Sequence, residues 1–82
     1  MNRIRKIEEK YRREALSQNV FRLMREHNIN QSDLSRSTGI PQPAISRMLS
    51  LISNPRVTVV QELAEFFDVS MDELLRRKRN EQ

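Results

Sequence analysis

The spacing of apolar residues limits most strongly what this chain can fold into. Apolar side chains recur at intervals of three and four residues from Leu16 to Met24 and again from Val57 to Phe67. Strict alternation is almost absent, and Gly39 is the only glycine. A three-and-four spacing places apolar side chains on one face of an α-helix, so the sequence predicts an all-α fold. The two stripes consist of Leu16, Val20, Leu23, Met24 and His27, and of Val57, Val60, Leu63, Ala64 and Phe67.

Capping signals divide the chain into five helical segments. Asn30 offers a side-chain oxygen as an N-cap, with Asp33 in the first turn of a short second helix. Gly39 is the natural left-handed residue to end that helix. Ser70 with Glu73 three residues later predicts a capping box at the start of the last helix.

The charges are concentrated at the two ends of the 82-residue chain, which is long enough for one domain. Residues 1–14 contain six Lys or Arg and three Glu, and residues 76–82 contain four Lys or Arg and one Glu. The centre, residues 15–75, contains five basic and seven acidic residues. We expect a charged extension at 1–14, a domain at 15–75 and a basic tail at 76–82. Basic arms bind phosphate backbones or simply keep a small domain soluble, and charge alone does not decide between them.

Composition and the N-terminus exclude several other classes. The chain has no cysteine, which excludes disulfides and thiolate metal sites. It is charged from its third residue and has no long apolar run, so neither a secretory signal nor a membrane span is expected. These features predict a cytoplasmic protein.

The stretch GIPQPAISRMLS, from Gly39 to Ser50, is the most informative. Two short helices joined by a glycine turn, the second with a polar face, form a helix-turn-helix pattern over residues 31–50. Pro43 suits the first turn of a helix and pushes Gln42 toward an extended conformation. We therefore expect the second of these helices to begin at Pro43, with Gln42 just outside it.

Several segments resemble the lambda-repressor-like (Cro/cI, XRE) helix-turn-helix regulators. NQSDLSRSTGIPQPAISRML is similar to the two DNA-engaging helices, SNP to the following loop and ELAEFFDVSMDELL to the last two helices. The resemblance covers about residues 16–75. It implies a five-helix DNA-binding domain of bacterial or phage type that associates with the nucleoid. It also implies that the protein is a dimer and represses transcription from a palindromic operator.

The resemblance also implies roles for individual residues. Gln42 matches a base-reading glutamine, whose amide suits the N6 and N7 edge of adenine. Arg47 suits guanine or a phosphate, while Pro43 and Ala44 could meet a thymine methyl. The remaining base-reading candidate is Ser46. The candidates for phosphate contact are Gln31, Arg22, Arg36, Asn54 and Arg56.

The chain departs from the family pattern at four positions. Met24 and Leu49 stand where many members have an arginine and a glutamate, and replacing a buried ion pair by two apolar residues is often neutral or stabilising. Leu51 stands where a glycine usually ends the third helix, so that helix either continues or is followed by a different loop. Asp68 replaces another glycine, and Asp enters the left-handed region more readily than most residues.

A protein-interaction module with the same fold and no specific DNA binding is the rival function. Val59, Phe66, Leu51 and Ile52 are candidates for an interface. In the resembling family, dimers form through the last helices, which here implies Phe66, Met71 and Leu74. Ile4, Ile7 and Tyr11 are compatible with a helix in the extension that packs across a dimer or reaches DNA.

An enzyme is disfavoured. His27 is the only histidine and is expected to be structural, and no nucleophile has a base at a plausible spacing. The carboxylates of Glu62, Glu65, Asp68, Asp72 and Glu73 are expected on a solvated face opposite the DNA. We expect no cofactor, metal or small-molecule ligand.

Overall fold

The described part of the chain folds into five α-helices, as the apolar spacing predicts. A computed structural model of the chain describes the backbone of residues 2–76 and the side chains of residues 11–76. No strand occurs in that part of the chain. The helices are α1 (Asn2–Glu26), α2 (Gln31–Thr38), α3 (Gln42–Leu49), α4 (Val57–Phe67) and α5 (Met71–Leu75).

Two reciprocal capping boxes begin α2 and α5. The backbone N–H of Asp33 donates to Asn30 Oδ1 at 2.8 Å, and the N–H of Asn30 donates to Asp33 Oδ2 at 3.2 Å. The N–H of Glu73 likewise donates to Ser70 Oγ at 3.0 Å, and the N–H of Ser70 to Glu73 Oε1 at 2.9 Å. Both predicted helix starts are confirmed.

Four helices end with a residue in the left-handed region, and only one of these residues is a glycine. Gly39 has φ 81°, Asn28 57°, Leu51 64° and Asp68 58°. After α3, the N–H of Leu51 donates to the carbonyl of Met48, and the next N–H donates to the carbonyl of Arg47. This is a Schellman motif, so α3 ends as it would with a glycine, although a leucine in this region is strained.

The core lies where the helices meet. α1 packs against α3 and α5, α2 against α3 and α4, and α4 against α5. Met24 and Leu49 are both buried, as expected for two apolar residues at the ion-pair positions of the resembling family. The other buried apolar residues are Ala15, Leu16, Val20, Leu23, Leu34, Ile40, Ile45, Met48, Val60, Leu63, Ala64, Phe67 and Leu74.

Three sequence-based expectations need correction. Leu74 is only 1% exposed, so its side chain is part of the core of its own chain and offers no surface for a dimer. Val57 is 63% exposed because α4 begins there, beyond the edge of the core. His27 follows the last residue of α1 and is exposed, with its ring edge-to-face to Phe67 at 5.3 Å between centroids.

Residues 2–14 of the charged extension form the first part of α1. That helix begins at Asn2, and its backbone runs without a break into the domain. The side chains of Ile4 and Ile7, and all of the basic tail after Arg76, lie outside the described residues.

Candidate nucleic-acid interface

The turn between α2 and α3 is fixed by hydroxyl groups as well as by Gly39. Thr38 Oγ1 donates to the carbonyl of Leu34 at 2.7 Å and accepts from the N–H of Ile40 at 3.2 Å. Ser35 Oγ donates to the carbonyl of Ile40 at 2.6 Å. Ile40 is also buried, so hydrogen bonds and packing together set the path of the chain into α3.

Two prolines shape the entry of α3, but the helix begins one residue earlier than the sequence suggested. Pro41 is the N-cap, with φ −57° and ψ 138°, and no side chain caps the helix. Its carbonyl accepts from the N–H groups of Ala44 at 3.0 Å and Ile45 at 3.2 Å. Gln42 is therefore inside the first turn, and Pro43 is the second helical residue. A proline is tolerated there because the first N–H groups of a helix have no intrahelical partner.

One face of α3 is exposed. Pro43, Ser46, Arg47 and Ser50 follow one another at intervals of three, one and three residues, and all four are exposed. This spacing places them on one side of the helix, opposite the buried Ile45, Met48 and Leu49. We call Pro43, Ser46, Arg47 and Ser50 the outer face of α3.

Gln42 and Ala44 flank this outer face. Gln42 is exposed, whereas Ala44 is half-buried and packs against the core. A carboxamide and a guanidinium, both solvent-accessible within six residues, supply the two side-chain types that form bidentate hydrogen bonds to base edges.

From residue 34 to residue 75, the basic residues all lie up to Arg56 and the acidic residues all lie after it. Residues 34–56, which include α3, contain three arginines and no acidic residue. Residues 57–75, which form α4 and α5, contain five acidic residues and no basic one. All five carboxylates are exposed, so α4 and α5 present an acidic surface, whereas α3 and the loop after it carry the positive charges of Arg47 and Arg56 and no negative one.

The phosphate candidates lie on α1, on α2 and in the loop between α3 and α4. Gln31 is the first residue of α2 and is half-buried, while Arg56 is exposed as the N-cap of α4. Arg36 is ion-paired with Asp33 at 2.7 Å, and Arg22 with Glu26 at 3.3 Å.

Asn54, in the loop after α3, is joined to the first helix. Its Oδ1 accepts a hydrogen bond from Arg13 Nη1 at 3.2 Å, across 41 positions of sequence.

Comparison with protein families places this sequence in a known group. The family model described as helix-turn-helix matches residues 20–74, more than half of the chain. The chain belongs to the lambda-repressor-like helix-turn-helix family. The expected membership and the all-α fold are both confirmed.

A curated relative of this helix-turn-helix domain is known from Coxiella burnetii (strain RSA 493 / Nine Mile phase I). It is described as an uncharacterized HTH-type transcriptional regulator and is 37% identical over 62 residues. The match covers 74% of this chain but 29% of the relative, so the chain spans less than a third of the relative's length. No solved structure matches the chain.

The helix-turn-helix domain holds its third and fifth helices with two buried polar residues of α1 that the sequence reasoning missed. Ser17 Oγ donates to the carbonyl of Leu49, the last residue of α3, at 2.8 Å. Asn19 Nδ2 lies 2.7 Å from the carbonyl oxygen of Leu74 and 2.9 Å from that of Arg76, at the end of α5. A serine and an asparagine interrupting the apolar spacing of α1 were the only sequence signal.

Among the described residues, large apolar side chains are exposed on α1, at Tyr11 and Phe21, and after α3. Leu51 is 42% exposed and Ile52 72%, and Val57 follows at the start of α4. Val57 and Met71 line one groove of about 380 Å³ between α1, the loop after α3, the start of α4 and α5. Phe66 does not line it and instead packs edge-to-face on Phe67 at 5.0 Å.

In residues 2–76, no helix combines the length and the apolar character that crossing a membrane requires.

Proposed function

We propose that this chain is a sequence-specific DNA-binding transcriptional regulator that acts as a repressor in a bacterial or phage setting, in the cytoplasm. The observation that carries the proposal is the outer face of α3, with Arg47 on it and Gln42 at its edge. In helix-turn-helix proteins the second helix lies in the major groove, with its N-terminal residues at base edges. The name of the Coxiella relative supports the same function.

In this proposal α3 reads bases and its surroundings position the backbone. Gln42 pairs with adenine and Arg47 with guanine, while Ser46 and the apolar Pro43 and Ala44 make the remaining base contacts. The N-terminus of α2 at Gln31 binds a phosphate, as helix N-termini favour anions. The other phosphate contacts come from Arg22, Arg36, Asn54 and Arg56.

We further propose that the regulator is a homodimer on a roughly palindromic operator. Exposed apolar side chains on soluble proteins often mark contact surfaces, and Ile52 and Val57 provide them, with the half-buried Met71 lining a groove together with Val57. Phe66 stays a candidate on another side of α4. Two-fold symmetry of the protein would place half-sites roughly 34 Å apart, one turn of the duplex.

Titration with duplex DNA at two salt concentrations tests the proposal against an interaction module of the same fold. A DNA reader loses affinity as salt rises, because binding releases counterions from the phosphates. Selection of bound sequences from a random duplex pool then tests specificity and symmetry together. Absence of salt-dependent DNA affinity, or a pool that shows no enriched motif, would overturn the proposal.

A further inference from the structure

We propose that Arg13, on the helical extension that precedes the family domain, contacts a DNA phosphate next to Asn54. This inference rests on the proposed DNA-binding function. It adds a contact from a part of the chain outside residues 20–74, the span that the helix-turn-helix model matches. The ligand is the sugar-phosphate backbone that flanks the bases read by α3.

The position of Arg13 follows from the contact between α1 and the end of α3. Ser17 holds the last carbonyl of α3 at Leu49, and Arg13 lies four residues before Ser17 on the same helix. Residues four apart on an α-helix lie one above the other on the same face. Arg13 is therefore one turn upstream of the point where α1 meets the end of α3.

Arg13 also contacts the loop after α3. Arg13 Nη1 donates to Asn54 Oδ1 at 3.2 Å, and Arg12, Arg13 and Asn54 line the same groove. A carboxamide whose oxygen accepts from a guanidinium has its NH₂ group on the other branch, with two donors. Asn54 and Arg13 thus bring amide and guanidinium donors together on the loop that continues from α3.

The guanidinium of Arg13 has no acidic partner in the described part of the chain, since no carboxylate among residues 11–76 forms an ion pair with it. The loop beside it belongs to residues 34–56, which contain no acidic side chain. A guanidinium has five N–H donors in a planar fork that matches phosphate oxygens, and a hydrogen bond to Asn54 occupies one of them.

The opposing interpretation is that Arg13 only braces the loop. Arg13→Gln separates the two roles, because a glutamine amide can still donate to Asn54 Oδ1 but carries no charge. Salt dependence of duplex binding is the readout. A lost phosphate contact lowers the slope of log affinity against log salt by about 0.9 and weakens operator and random DNA equally.

Arg25→Gln is the matched control. Arg25 is exposed on the same helix, about 18 Å farther along at 1.5 Å per residue, and its substitution removes the same charge. We expect an unchanged slope for this variant. Equal slope changes in both variants would overturn the inference, because they would reflect net charge rather than a contact.

A second measurement locates the contact on DNA. Phosphates flanking the selected site are replaced one at a time by uncharged methylphosphonates. At the contacted phosphate the wild type loses affinity, whereas Arg13→Gln loses nothing more. An Arg13→Gln slope equal to that of the wild type would leave the DNA-binding function standing and overturn this inference alone. Absence of wild-type DNA affinity would overturn both.

Discussion

The hydroxyl of Ser17 donates a 2.8 Å hydrogen bond to the carbonyl oxygen of Leu49, which joins the middle of α1 to the end of α3. Ser17 is buried, and Leu49 is the last residue of the helix proposed to read DNA. Carbonyls in the last turn of a helix have no intrahelical partner, so this bond satisfies a group that packing would otherwise leave unpaired.

Ser17→Ala is expected to lower the free energy of unfolding by about 1 to 3 kcal/mol, because it leaves a buried carbonyl without a donor. Urea denaturation measures the change. Ser37→Ala is the control, since Ser37 is exposed on α2 and the substitution brings the same gain in helix propensity. The predicted role of Ser17 is wrong if the two variants are equally stable.

Asn19→Asp is expected to destabilise the protein at neutral pH, because its new carboxylate faces the carbonyl oxygens of Leu74 and Arg76 in place of an NH₂ donor. Repulsion and burial raise the pKa of that carboxyl in the folded state, although Arg22 lies 3.4 Å from the other branch of the Asn19 amide. A raised folded-state pKa means that the penalty is present at high pH and disappears as pH falls below the unfolded-state value. Thermal denaturation of variant and wild type, compared from pH 7 to pH 4, checks this. Asn19→Ala, with no titrating group, should show a constant deficit, and a deficit of Asn19→Asp that does not shrink in acid would contradict the prediction.

Leu51→Gly is expected to stabilise the chain by about 0.5 to 1 kcal/mol. A side chain in the left-handed region costs about 1 to 2 kcal/mol, and glycine removes this strain at some entropic cost. Chemical denaturation at low protein concentration excludes effects of association. Ser50→Gly provides the comparison, because Ser50 has φ −88° and gains nothing from glycine. Equal destabilisation by both substitutions would show that Leu51 is not strained.

Gln42→Ala and Arg47→Ala are each expected to weaken operator binding by about 1 to 3 kcal/mol, a loss of roughly 5- to 150-fold. Binding to random duplex should change far less, since both residues are proposed to contact base edges. Gln31→Ala, which removes a proposed phosphate contact, should weaken both. Competition titrations with the two duplexes measure the ratio. Equal losses on operator and random DNA for Gln42 and Arg47 would remove them from base readout.

Val57→Glu is expected to convert the proposed dimer into a monomer, because it puts a charge on an exposed apolar side chain beside Met71. Sedimentation velocity over a range of concentrations measures the change. Thr58→Glu introduces the same charge at the neighbouring exposed position and should leave the dimer intact. A Val57→Glu variant that sediments like the wild type would place the interface elsewhere, with Phe66 the next position to substitute.

Local sequence signals predicted the helices well, because caps and apolar spacing act within a few residues. Asn30, Gly39 and Ser70 each act on the adjacent helix, and the structure confirms all three. Ser17 and Asn19 could not be assigned in this way, since their partners lie 32 and 55 positions away and depend on how the helices pack. The same packing places Leu74 in the core of its own chain, so it cannot provide the dimer contact that the family resemblance implied.

The candidate site was only partly predictable. Helical spacing placed Ser46 and Arg47 on an exposed face, and that placement is observed. The start of α3 was misplaced by one residue, because the preference of a residue before proline is weaker than the hydrogen bonds that Pro41 accepts from Ala44 and Ile45. The link between Arg13 and Asn54 had no sequence signal.

If α3 reads DNA as proposed, the two prolines around Gln42 make position 42 suitable for changing the base preference. Pro41 and Pro43 restrict the backbone on both sides, in the unfolded chain as well as in the helix. The side chain of Gln42 is exposed and carries no core packing, so its replacement changes chemistry without moving the frame that holds it. A library of variants at this one position should therefore yield regulators with altered base preference and nearly constant folding stability.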